Sequence, residues 1–150
     1  MGDPFVSDTF IQMKNTPFST EVAIQALVRG FQERTLPKDE WTHEAHLVTA
    51  IWYHVNHSAL EAICYLRSGI IAYNLSVGGK NTPEDGYHET MTLFWCRTID
   101  KFVEANRKLA LVEMVNKFLK SEMAAKEYPL KFYTRERLFS LQARATYIAV

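Results

Sequence analysis

Apolar residues recur at helical spacing along this chain, and no run alternates residue by residue as a half-buried strand would. Over residues 19–34 the apolar positions are Val22, Ile24, Leu27, Val28 and Phe31. Thr35-Leu36-Pro37-Lys38 interrupts that helix, because proline cannot continue a helix interior. A second helix begins near Asp39 or Thr42 and ends at Asn56-His57. Ser58 with Glu61 forms a capping box that opens a third, running to about Tyr73. Gly78-Gly79 marks a flexible connection. Thr82-Pro83-Glu84-Asp85 then reads as a helix start, with a threonine cap, a first-turn proline and acids at the positive end. That fourth helix should continue to about Asn106. Residues 109–120 form another amphipathic stretch, which residues 121–128 extend. Pro129 breaks the chain, and Thr134 caps a last helix reaching Arg144. The expectation is an all-α, single-domain helical bundle of about five to six helices over residues 19–150, after an irregular segment at 1–18.

A chain of 150 residues can bury a sizeable core without metals or disulfides. Its 17 basic and 17 acidic residues cancel, so no global field draws nucleic acid or anionic membrane. The densest basic cluster, Arg135 and Arg137, is interrupted by Glu136. No stretch approaches the roughly 18 apolar residues of a membrane span, and no signal-peptide pattern opens the chain. These features predict a cytoplasmic protein with neither nucleic-acid nor membrane partners. Cys64 and Cys96 sit in apolar helical patterns outside any CxxC pair, and read as buried thiols.

Four of the five histidines share one helical face. At about 100° per residue, His43, His46, His54 and His57 span roughly 80° of arc. Leu47, Ala50 and Tyr53 occupy the same arc, which marks it as the buried side. On the third helix Arg67 interrupts the stripe Leu60, Ile63, Leu66, Ile70 and Ile71, with Asn74 two turns on. A buried guanidinium demands an anion, carbonyls or a ligand. If the second and third helices form an antiparallel hairpin, equal rises place His43 and His46 level with Arg67 and Asn74. His54 and His57 fall about 12 Å away, at a helix end where the dipole favours them. A fourth helix returning from Pro83 brings His88 to the same height, flanked by Tyr87 and Glu89.

The expected constellation is therefore His43, His46, Arg67, Asn74 and His88, with Glu44, Tyr87 and Glu89 around it. Neutral imidazoles from two helices suit Zn²⁺, Ni²⁺ or Fe²⁺, and His43, His46 and His88 would supply three ligands with a position open. Without metal, His43, His88 and Glu89 are the acid/base candidates. Arg67 would then clamp a small anionic molecule, and His46, Asn74 and Tyr87 would bind the rest of it. His43-Glu44-Ala45-His46 places its second histidine one residue too early for a zincin helix. Glu40-Trp41-Thr42-His43 matches one ExxH unit of a di-iron bundle, and its second copy is missing. The competing expectation is a non-enzymatic helical interaction protein. In it Arg67 pairs with Glu89 or Glu44, the histidines bond carbonyls, and the helices after Leu109 form a homodimer.

Three segments carry a resemblance: Leu36-Pro37-Lys38-Asp39-Glu40-Trp41-Thr42-His43-Glu44-Ala45-His46-Leu47, then Asn81-Thr82 with Gly86-Tyr87-His88-Glu89-Thr90, then Tyr133-Thr134-Arg135-Glu136-Arg137-Leu138-Phe139-Ser140. With them the chain resembles a small, largely uncharacterised bacterial all-helical family over about positions 30 to 145. The resemblance implies a helical fold and gives weight to His43, His46, His88 and Glu89; it implies no activity. More loosely the chain is similar in size to the DinB/YfiT-like four-helix metalloproteins, whose three histidines hold a divalent metal. It departs from them in having no histidine after His88.

Overall fold

Side-chain caps set the helix boundaries. In the computed structural model, which describes residues 18–150, Thr20 accepts a hydrogen bond from Ala23 N and opens α1, Glu21–Glu33. Ile24, Leu27, Val28 and Phe31 form its buried stripe, and Arg34 ends it in the left-handed region at φ 59°. Pro37 precedes a 3-10 turn over Lys38–Glu40, and Thr42 caps α2, His43–Asn56. Ser58 and Glu61 make the expected capping box for α3, Ala59–Ser76. Such caps contribute about 1 kcal/mol each and fix where these three rods begin.

The centre of the bundle is α2. It is buried nearly all round, at Ala45, Leu47, Val48, Thr49, Ala50, Ile51, Tyr53 and His54. Packed on it are α1, α3, α4 (Glu89–Ala105) and α5 (Leu111–Leu119). One apolar core joins these five helices, with Ile24, Phe31, Leu47, Ile51, Leu66, Tyr73, Ile99, Val103 and Phe118 deep within it. A smaller cluster of Phe94, Tyr133 and Leu138 seats the C-terminal segment on α4. That segment holds two short helices, α6 (Arg135–Leu138) and α7 (Leu141–Ala145), capped by Thr134 and Ser140. Beyond them Thr90 Oγ1 donates to Thr146 O at 3.0 Å and accepts from Ile148 N at 3.1 Å, tying the tail across α4.

The molecule is all-α, with five long helices and two short ones and no strand among the described residues. Residues 1–17 of the expected irregular segment lie outside them. No helix described is long and apolar enough to cross a membrane.

Four expectations about local structure are corrected. The Thr82-Pro83 start signal does not open a helix. Thr82 Oγ1 instead accepts from Glu84 N and Asp85 N within a tight turn, and α4 begins only after His88. Residues 121–128 do not prolong α5; they form 3-10 turns at Glu122–Ala124 and Tyr128–Lys131. Leu60 projects outward at 77% exposure, because the buried face of α3 is set by Ala62, Leu66 and Tyr73 and Leu60 lies well around the axis from it. Cys64 is exposed, while Cys96 is buried.

Candidate functional site

A cleft of about 570 Å³ opens where the N-terminal ends of α2 and α4 meet the C-terminal half of α3. Leu47, Ala50, Leu66, Ile70, Met91 and Trp95 make its apolar wall. Of the eight residues singled out in the sequence, His43, His46, Asn74, Tyr87 and His88 line this cleft, and Arg67, Glu89 and Glu44 do not.

The His46 ring rests on Trp41, with centroids 3.9 Å apart, and Trp41 stacks in turn on Phe31 at 4.7 Å. His46 Nδ1 lies 2.7 Å from Thr42 O, so Nδ1 carries the proton and donates it to that carbonyl. The lone pair is then on Nε2, which has no hydrogen-bond partner among the described residues. Burial pushes the His46 pKa down to about 4, against the opposing bond to Thr42, and His43 nearby lowers it further. His46 is therefore a neutral acceptor at physiological pH.

His43 stands edge-on to Trp95, 5.5 Å between centroids, and donates Nε2–H to Ala124 O at 2.9 Å. His88 is the N-cap of α4. Its Nδ1 accepts from Met91 N at 3.1 Å and its Nε2 donates to Leu138 O at 2.9 Å, so both ring nitrogens are engaged. Burial holds its pKa below the usual histidine value, partly offset by the Leu138 bond. A ring used in this way has no lone pair for a metal, and the expected His43, His46 and His88 triad is not assembled. Among the described residues no group of three or more His, Cys, Asp or Glu side chains stands where it could hold a metal ion.

Arg67 takes a different place from the clamp expected of it. Its Nε and Nη2 donate to Glu89 at 3.1 and 2.5 Å, and Tyr87 O–H donates to the same carboxylate at 2.5 Å. The Glu89 bond raises the Arg67 pKa above its already high value. Burial would raise Glu89, but the Arg67 and Tyr87 bonds outweigh it and hold the carboxyl below its ordinary value. Burial and the Glu89 bond both push the Tyr87 phenol up. The guanidinium is thus paired within the protein. Glu44, the other carboxylate considered, is exposed.

The cations that do line the cleft are Arg144 and Lys126, neither of which helical spacing singles out. Arg144 Nη1 donates to Gly86 O at 2.7 Å, while its Nε and Nη2 have no partner among the described residues. Asp85 also lines the cleft, its Oδ1 accepting from Gly86 N at 2.8 Å. The loop carrying Asp85, Gly86 and Tyr87 is held by Asn81, whose Oδ1 accepts from Asn74 Nδ2 at 3.0 Å and Tyr87 N at 3.1 Å. Arg144 and Lys126 belong to distant segments whose docking no local pattern encodes. Cys96 lines the cleft with its thiol pushed up to about 12 by burial, which makes it inert as a nucleophile.

His54 and His57 stand apart from the cleft. His54 lies in the last turn of α2, the helix-end place expected of it, and is 1% exposed. Neither ring nitrogen makes a hydrogen bond, and Asp100 lies 3.5 Å from Nδ1.

In comparisons with family models, curated proteins and solved structures, nothing matches this chain.

Proposed function

We propose that this protein binds a small organic anion in the cleft between α2 and α4, with Arg144 and Lys126 meeting the anionic group. The observation that carries this reading is the pairing of an apolar wall with two cations whose charge the protein leaves largely unspent. Arg144 uses one nitrogen on backbone carbonyls, and Lys126 makes no ion pair among the described residues. A ligand with an apolar body and one carboxylate or phosphate matches both parts of such a site. The sequence-level form of the idea, with Arg67 as clamp, gives way to Arg144 and Lys126.

Acid/base catalysis narrows to two rings. His43 and His46 each keep one nitrogen without a partner among the described residues, whereas His88 keeps none. For Arg67, Glu89, Tyr87 and His88, the competing reading of a structural polar network is favoured by their mutual and backbone bonds.

Trp41 and Trp95 both line the cleft, so tryptophan emission reports occupancy. Benzoate, hexanoate and phenyl phosphate are the probes to titrate. Saturable emission changes that weaken about tenfold in Arg144→Gln and in Lys126→Gln, and weaken with added salt, support the reading. Titrations with no saturable change in any of the three refute it.

A further inference from the structure

Resting on the anion-binding reading, a second demand on the ligand comes from His46. We infer that the anion this cleft accepts also carries an O–H or N–H donor that bonds to His46 Nε2, making it a hydroxy- or amino-substituted organic acid.

Three observations converge. The bond from Nδ1 to Thr42 O fixes the tautomer, so the cleft-lining ring has a lone pair on Nε2 and no proton to offer. The ring cannot easily turn to hide that lone pair, because Trp41 lies against its face and is itself backed by Phe31. Around it the cleft is apolar, with Leu47 and Ala50 on the same helix and Leu66 and Ile70 on α3. A ligand filling this space strips water from Nε2, and a ligand without a donor leaves the acceptor unsatisfied. The low basicity of the buried ring keeps it an acceptor across the physiological range. Discrimination by a missing hydrogen bond is sharper than discrimination by shape, because the protein's own polar group is stranded.

The cations set one end of the ligand and His46 the other requirement. Asn74 Nδ2 donates to Asn81, which leaves Asn74 Oδ1 as a further acceptor in the same lining. Besides the two cations and one donor without a partner among the described residues, Trp41 Nε1, the cleft thus offers acceptors, and these ask for an anion bearing donors.

The test compares matched acids on protein labelled with ¹⁵N in its histidines. Benzoate is titrated against its 2-, 3- and 4-hydroxy and amino isomers, and hexanoate against 2- and 6-hydroxyhexanoate. The expected result is at least one substituted acid binding about tenfold tighter than its parent, moving the His46 Nε2 resonance in the direction of hydrogen bonding. In His46→Phe, which keeps a ring against Trp41 and removes the lone pair, the substituted acid loses its advantage over its parent. Parents and derivatives that bind alike, or a bound derivative that leaves Nε2 unmoved, overturn the inference while sparing the anion site. Absence of binding by every acid overturns both. The wild-type Nε2 resonance decides the question even if His46→Phe does not fold.

Discussion

Arg67 and Glu89, 22 residues apart on α3 and α4, form a two-bond ion pair whose partners are unequally buried. The arginine side chain is 39% exposed and the glutamate 14%. Removing one partner therefore has a different consequence from removing the other. Without Arg67, Glu89 is a nearly buried carboxylate with only the Tyr87 hydroxyl. Without Glu89, the guanidinium can rehydrate. Arg67→Met should cost about 2 kcal/mol and Glu89→Gln about 1 kcal/mol in urea unfolding. Equal losses would contradict the asymmetry of the pair.

Acid should weaken the fold before its carboxylates titrate. Burial lowers the pKa values of His46, His54 and His88 in the folded chain, so the unfolded chain takes up more protons below the unfolded histidine value of 6.5. Stability is full above that pH and falls as pH drops. The His46 contribution stops changing near its folded value of about 4. A shift of that size corresponds to as much as about 3 kcal/mol. Urea midpoints between pH 8 and pH 4 should decline in the wild type and decline less steeply in His46→Phe. Parallel slopes in the two proteins would exclude His46 as a source.

His54 is a place where the chain carries a polar group its surroundings do not satisfy. Both nitrogens are buried without hydrogen bonds, and Asp100 stays 3.5 Å away at the rim. Leucine has nearly the volume of histidine and no polar atom to desolvate. His54→Leu should leave stability unchanged or raise it by about 1 kcal/mol. A loss of 2 kcal/mol or more on urea unfolding would mean that the imidazole contributes a bond to Asp100 in solution.

The features legible in the sequence are those written within a turn or two of chain. Ser58 and Glu61 announce α3 because a capping box is completed by residues three apart. The histidine face of α2 and the height of Asn74 follow from helical arithmetic, and His43, His46 and Asn74 do meet in one cleft. Thr82 misled for a physical reason: a threonine side chain caps a turn as readily as a helix, and Gly86 reverses the chain before α4 can start. His88 is similarly opaque, since histidine seldom serves as an N-cap and its ring was free on paper to face a ligand. Arg67 was visible as a cation in an apolar stripe, but the choice between pairing with Glu89 and clamping a ligand depends on side-chain reach across helices. Arg144 is separated from Gly86 by 58 residues, and the packing of the C-terminal segment on α4, with the Thr90 bonds to Thr146 and Ile148, delivers it.

Gly78 and Gly86 allow the loop beside the cleft to be tested against an internal control. Both adopt positive φ, 81° and 83°, where any side chain is strained. At Gly78 an added Cβ would meet nothing within 4 Å, so Gly78→Ala should cost only the backbone term of about 1 kcal/mol. At Gly86 the same atom would lie 1.9 Å from Lys80 O and 2.9 Å from Asn81 Oδ1. Relief requires the loop to move, and the loop holds the Asn81 bond to Tyr87 N and the carbonyl that anchors Arg144. Gly86→Ala should therefore cost at least about 1 kcal/mol more than Gly78→Ala in urea. It should also abolish the emission change produced by organic anions, which Gly78→Ala retains. Equal stability losses, with binding kept in both variants, would show that the Gly86 loop does not position Arg144.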